Sequence, residues 1–202
     1  MTAKSPAPTF DGSFPHHWQA EVLAARPIIL PARHYVYPVL AEEVERGALE
    51  VLIRPGSECS SVAQPFLATC ALGFRDPSVP TGLWSSPNPN ELCAVSGGYA
   101  YIIDTTAPDL FTMISFRPVL EIFPAVEQGL LLFIGHHSIL AWGRNGEAWQ
   151  SEKLSAEGIT ISGIEDGILH GLVWDLFTDK ETPFALDLGT GLRLPTAPHV
   201  SK

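Results

Sequence analysis

The stretch from Gly129 to Gly191 limits what this chain can fold into more than any other part of it. Apolar residues alternate with polar ones through Gly158–Ile164, Ile168–Trp174 and Phe184–Leu188. Between the alternating runs stand Asn145-Gly146, Glu165-Asp166-Gly167 and Gly189-Thr190-Gly191. Period-two alternation broken by such turns is the signature of short strands joined by hairpins, so the spacing predicts five or six consecutive antiparallel strands here. Asn-Gly accepts positive φ at both central positions of a tight turn, which fits a hairpin joining Ile139–Trp142 to Ala148–Trp149. Along the later run Ile168, His170, Leu172 and Trp174 share one face, because every second residue of a strand points the same way. His170 therefore falls among apolar neighbours.

The first half is less regular. Residues 1–13, rich in Pro, Ser and Thr, read as a flexible arm. His16–Ala25 reads as a short helix, with Trp18 and Val22 four apart and Pro27 ending it. Ile28-Ile29-Leu30 is β-prone, but Pro31 confines it to an edge or bend. His34–Tyr37 and Ala48–Ile53 read as strands, Val39–Glu45 and Pro108–Ile114 as helical turns. Periodicity leaves Pro65–Phe74 open between a buried strand and a short helix. Residues 76–91, with four prolines, read as a long loop of the kind usually ordered by function or by a partner. Ser96-Gly97-Gly98 reads as a hairpin turn between Leu92–Val95 and Tyr99–Ile103. The expected organisation is the arm followed by a single β-rich domain over 14–202.

Composition narrows the class. At 202 residues the chain supports a self-sufficient core. The charged fraction of 17% is low against about 25% in ordinary soluble domains, which argues against disorder and suggests a face covered by a second subunit. The net charge is −10, and the 12 basic residues are scattered singly. Phosphate recognition needs clustered Lys and Arg, so neither nucleic acid nor a membrane is an expected partner. The opening residues carry no apolar segment, and no apolar run approaches the ~20 residues of a membrane span. Cys59, Cys70 and Cys93 are an odd set without CxxC spacing, which fits reduced thiols and a cytoplasmic location.

The second half holds Trp149-Gln150-Ser151, Glu157-Gly158-Ile159, Gly171-Leu172-Val173-Trp174-Asp175 and Pro183-Phe184-Ala185-Leu186-Asp187-Leu188-Gly189-Thr190-Gly191. This series resembles a pattern in a group of β-rich proteins from bacteria and plants, with Trp-x-Ser, Asp-Gly-Ile, Gly-x-x-Trp-Asp and Pro-Phe-x-Leu-Asp-Leu-x-Thr-Gly elements. Glu157 stands where that pattern has Asp. The resemblance implies a β fold for the last 70 or so residues and brings no activity or site residue with it. The strand pattern is also similar to one propeller blade, but the first half does not repeat it, so a sandwich or rolled sheet is the expected architecture.

Chemistry-bearing residues are sparse. The pairs His16-His17 and His136-His137 diverge if they lie on regular strands. A bend at Gly135 would let His136 or His137 join His170 and an acid, Asp175 or Glu165, as a metal site. The opposing reading is one core or turn histidine beside an exposed one. Ser96 lacks a nucleophile elbow, and Cys93 reads as a buried structural thiol rather than a nucleophile. Glu42-Glu43 and Glu165-Asp166 read as solvated faces rather than acid–base pairs. Leu83 and Trp84, inside the proline-rich loop, form the candidate contact surface, since a loop tryptophan either anchors a partner or folds back onto the core.

The expectation is thus a mainly β protein, an antiparallel β-sandwich or rolled sheet with one or two short helices. It is expected to be non-catalytic, without metal or cofactor, acting by binding or subunit association, as a homodimer or with another protein. The alternative is a hydrolase with a dispersed metal-, Ser- or Cys-dependent His/Asp site.

Overall fold

A computed structural model describes residues 7–39, 46–56, 64–176 and 179–195. Every regular element among them is a strand, so the protein is mainly β, and no helix is found among the described residues. The chain divides into two compact units, Met1–Glu121 and Ile122–Lys202.

The first unit contains β1 (Thr9–Asp11), β2 (Trp18–Leu23), β3 (His34–Tyr37), β4 (Ala48–Pro55), β5 (Phe66–Ala71), β6 (Gly82–Ser85), β7 (Glu91–Ser96), β8 (Tyr99–Asp104) and β9 (Phe111–Met113). They form two sheets, in the orders β1-β6-β7-β8-β9 and β2-β4-β5-β3. Both sheets are mixed, because β1 runs parallel to β6 and β3 parallel to β5. Thr9–Asp11, expected in a free arm, is an edge strand. Trp18–Leu23, expected as helix, is a strand because Trp18, Ala20 and Val22 are also every second residue. A spacing of four fits either period, and the exposed Gln19 and Glu21 between them belong to the period of two. Phe66–Ala71 resolves as a strand buried along its whole length. Phe111–Met113 pairs with β8 after a tight turn in which Leu110 N bonds Ala107 O. Val39–Glu45 lies almost wholly outside the described residues.

One apolar core is shared by these sheets. Leu49, Val51, Ile53, Phe66, Ala68 and Cys70 come from one, and Leu83, Leu92, Ala94, Tyr101 and Ile103 from the other. Three polar pins cross within it. Trp18 Nε1 donates to Glu91 O at 3.0 Å, Tyr101 Oη to Ala71 O at 3.0 Å, and Tyr37 Oη to Pro108 O at 2.7 Å. Each gives a large buried aromatic a partner for its polar atom, without which burial would cost free energy. The hairpin expected at Ser96–Gly98 is present, with Gly97 and Gly98 at φ 57° and 74°, the conformation in which two glycines carry no steric penalty.

The second unit begins within β10 (Glu121–Ala125) and holds β11 (Leu130–Ile134), β12 (Ile139–Gly143), β13 (Gly146–Gln150), β14 (Ile159–Glu165), β15 (Ile168–Asp175), β16 (Lys180–Asp187) and β17 (Arg193–Leu194). The five or six strands expected between Gly129 and Gly191 are β11 to β16. They belong to two four-stranded meanders, β10-β11-β12-β13 and β14-β15-β16-β17, rather than one continuous array. The chain changes sheet after β13, where residues 151–158 carry no strand. Leu132, Ile134, Ile139 and Ala141 of the first meander share a core with Leu169, Val173, Phe184 and Leu186 of the second. On β15 it is Leu169, Gly171 and Val173 that are buried, so His170 lies on the half-exposed face with Ile168, Leu172 and Trp174. Asp166-Gly167 forms the β14–β15 turn with φ 49° and 76°. The β12–β13 hairpin is centred one residue earlier than expected. Gly143 pairs with Gly146 across Arg144-Asn145, and Gly146 takes φ 113°.

The elements of the resemblance have structural roles here. Asp187 Oδ1 accepts from Thr190 N at 2.8 Å and Thr190 Oγ1 at 2.7 Å, closing the turn after β16. Trp149 Nε1 donates to Leu188 O at 2.8 Å, and Ser151 Oγ accepts from Ile139 N at 3.0 Å. Together they fix one corner of the unit.

Candidate functional site

Strands β2 and β3 are the two edges of their sheet, and both run parallel to β5. Residues 24–33 must therefore carry the chain from one edge to the other across three strand spacings, roughly 14 Å. The polar residues of the site cluster around this crossing segment.

Glu50 on β4 and Thr69 on β5 are opposite one another in register and buried. Core residues of β4 are the odd positions and those of β5 the even ones, so Glu50 and Thr69 lie on the face turned away from the core. Thr69 Oγ1 donates to Glu50 Oε2 at 2.5 Å. His34 Nε2 lies 2.8 Å from Thr69 Oγ1. The hydroxyl has one proton, already given to the carboxylate, so His34 is the donor in this pair and its Nε2 carries hydrogen. The other Glu50 oxygen, Oε1, accepts from Arg26 Nε at 2.9 Å. Burial lowers the His34 pKa below its ordinary value; the Arg26 charge acts in the same direction and Glu50 opposes it.

The row Arg26–Glu50–Thr69–His34 contains the residue types of a hydroxyl nucleophile, an imidazole and an acid. Its geometry does not support that chemistry. A general base must accept the nucleophile's proton, whereas the Thr69 proton points at Glu50 and His34 donates. Thr69 is also wholly enclosed in a central strand. The row acts as a clamp that fastens the crossing segment to the sheet through Arg26. At the other end Arg33 Nη1 donates to Gln64 O at 2.9 Å, and its guanidinium lies 5.6 Å from the Phe66 ring centroid.

Between the fastened ends stands Pro27-Ile28-Ile29-Leu30-Pro31. Ile28 is fully exposed, Ile29 87% exposed and Leu30 44% exposed. Three consecutive large aliphatic side chains left in solvent form a concentrated apolar patch, unlike the singly scattered exposed residues of ordinary surfaces.

The residues singled out from sequence lie elsewhere. Leu83 and Trp84 are on β6, paired on both sides by β1 and β7, and are 1% and 5% exposed. Gly82–Ser85 is thus a strand, not the middle of a loop, and the tryptophan belongs to the interior. His136 and His137 are exposed, with ring centroids 6.0 Å apart, and His137 Nδ1 is 3.1 Å from Ser155 O. Among the described residues no group of three or more His, Cys, Asp or Glu is placed to hold a metal ion; His136, His137 and His170 are not brought together as a ligand set. Cys70 and Cys93 are buried free thiols whose pKa values burial raises; Cys59 lies outside the described residues, as do Glu42 and Glu43. Ser96 Oγ is buried without a hydrogen-bond partner, so no base activates it. Glu165 and Asp166 sit at an exposed turn, and no ion pair to either is found among the described residues. Sequence reasoning noticed Ile28–Leu30 and read it as a β-prone edge or bend; the two bracketing prolines were the signal that it forms no ladder.

No protein-family model matches the chain, and no curated protein matches its sequence.

Proposed function

We propose that this chain is a non-catalytic binding module, that each unit is a two-layer β-sandwich, and that the segment 24–33 is its contact surface. The observation that carries the reading is the run Ile28, Ile29 and Leu30, exposed on a segment fastened at Arg26 and at Arg33. Exposed aliphatic area on a loop costs solubility, and a segment held at both ends loses little conformational entropy on binding. The proline on either side of the tip restricts it further. Two features support binding over hydrolysis: the enclosed Thr69 and the direction of its proton.

The test is hydroxyl-radical footprinting of residues 24–33 in intact cells and in the purified protein. Lower oxidation of Ile28–Leu30 in cells is expected. Equal oxidation in both settings would refute the contact-surface reading.

A further inference from the structure

The apex of this segment has a composition that points to one class of partner. Arg26-Pro27-Ile28-Ile29-Leu30-Pro31-Ala32-Arg33 places three aliphatic residues between two prolines and two arginines. Full exposure of Ile28 means that no wall of protein stands beside it, so the apex is a protrusion rather than the floor of a groove. Arg26 binds Glu50 through Nε, and its side chain is 42% exposed.

We propose that Ile28, Ile29 and Leu30 insert into the boundary between headgroups and acyl chains of a phospholipid bilayer, with Arg26 and Arg33 at the level of the phosphates. The inference rests on the reading of 24–33 as a contact surface. A second copy of the chain fits less well, because three aliphatic side chains supply on the order of 300 Å² against about 800 Å² per partner in a stable interface. Tip-to-tip contact between two convex loops adds little to that area. A bilayer needs no complementary shape, and arginine donors match phosphate oxygens. The expectation that a membrane is no partner rests on net charge and on the scattering of the basic residues, and both speak to anionic surfaces held by clustered cations. With a net charge of −10, attachment through this apex uses apolar area and prefers a zwitterionic surface. The proposed attachment is to the bilayer surface, through the apex alone.

The test is co-sedimentation of the full chain with phosphatidylcholine vesicles over a range of lipid concentrations. Three proteins are compared: wild type, Ile28→Ser/Ile29→Ser, and Leu192→Ser, which removes a 67% exposed leucine of the second unit. Ile28 and Ile29 stand in solvent, so their replacement leaves the fold intact. The wild type and Leu192→Ser should pellet alike, also at high salt, and the double variant should partition about a hundred-fold more weakly. Wild-type protein that stays in the supernatant at millimolar lipid overturns the proposal. So does equal partition of the double variant, or release by salt. Tip-dependent dimerisation in lipid-free sedimentation equilibrium would make the occupant a second copy and would also overturn it. Protection of the apex in cells without vesicle binding refutes the lipid proposal and leaves the contact surface standing; loss of both refutes both.

Discussion

Replacing Thr69 by valine is the sharpest test of the buried clamp. Valine has the same shape and branching and suits a strand at least as well, so packing on β5 is preserved and only the hydroxyl is lost. Thr69 is fully buried, and its hydroxyl bonds Glu50 Oε2 at 2.5 Å and His34 Nε2 at 2.8 Å. A hydrogen bond to a charged group contributes about 1.5–3 kcal/mol and a neutral one about 0.5–1.5 kcal/mol. The extra methyl returns roughly 0.8 kcal/mol. The expected net loss is about 2 kcal/mol. Glu50→Leu/Thr69→Val removes the buried carboxylate together with its partner, while Arg26, at the surface, regains water. An apolar replacement of a whole buried pair is commonly neutral, so the double variant should lie within about 1 kcal/mol of wild type. Peptide-resolved hydrogen exchange across a urea series, read on β4 and β5, isolates the first unit. Two outcomes contradict the reasoning: a Thr69→Val loss under about 0.5 kcal/mol, or a double variant whose loss is the sum of the two singles.

The remaining predictions concern ionisation, thiol burial and one glycine. His34 has a lowered pKa in the folded state, so the unfolded chain binds the proton more readily. Its contribution is complete above the ordinary histidine pKa of 6.5 and is lost as pH falls through that value towards the lower native one. The stability gap between wild type and His34→Gln should therefore narrow between pH 7.5 and 5, and a constant gap in thermal unfolding would contradict this. Cys70 and Cys93, buried and with raised pKa values, should resist thiol reagents at neutral pH in a Cys59→Ser background until denaturant is added; rapid native labelling of either disproves their placement. Gly191 has φ +72°, and a Cβ there would lie 2.6 Å from the Trp149 ring, which Leu188 O holds through Nε1. Gly191→Ala should cost at least about 2 kcal/mol in unfolding of the second unit, and Trp149→Phe should lessen the penalty; a neutral alanine removes the argument for a tight corner.

What the chain shows without its structure divides along the range of the interactions. Alternation and turn chemistry are local, so Ile168–Trp174, Asp166-Gly167 and Ser96–Gly98 were legible almost to the residue. Trp18–Leu23 is ambiguous because a four-residue spacing fits a helix and a strand alike, and only the exposed polar Gln19 and Glu21 decide between them. The division into two meanders was less legible because strand pairing is not local: β14 pairs with β15, while β13 lies in another sheet, and the one local trace of the passage is the longer connection over 151–158.

The site was legible only in part, for a related reason. Burial of Glu50 and Thr69 and exposure of Ile28 invert the usual preferences of their types, and both inversions depend on where the crossing segment runs. That route follows from β3 adding beside β5 rather than beside β2, a choice of sheet order that neighbouring residues do not encode. Once the order is known, the two inversions explain each other. Glu50 tolerates burial because Arg26 and Thr69 satisfy its two oxygens. The same Arg26 bond holds the segment to the outer face of the sheet just before Ile28. The buried acid and the exposed aliphatics thus lie at the two ends of one short stretch of chain, joined through Arg26. Glu50→Gln, which weakens the Arg26 bond while leaving the apex sequence untouched, is the substitution that asks whether the clamp serves the apex.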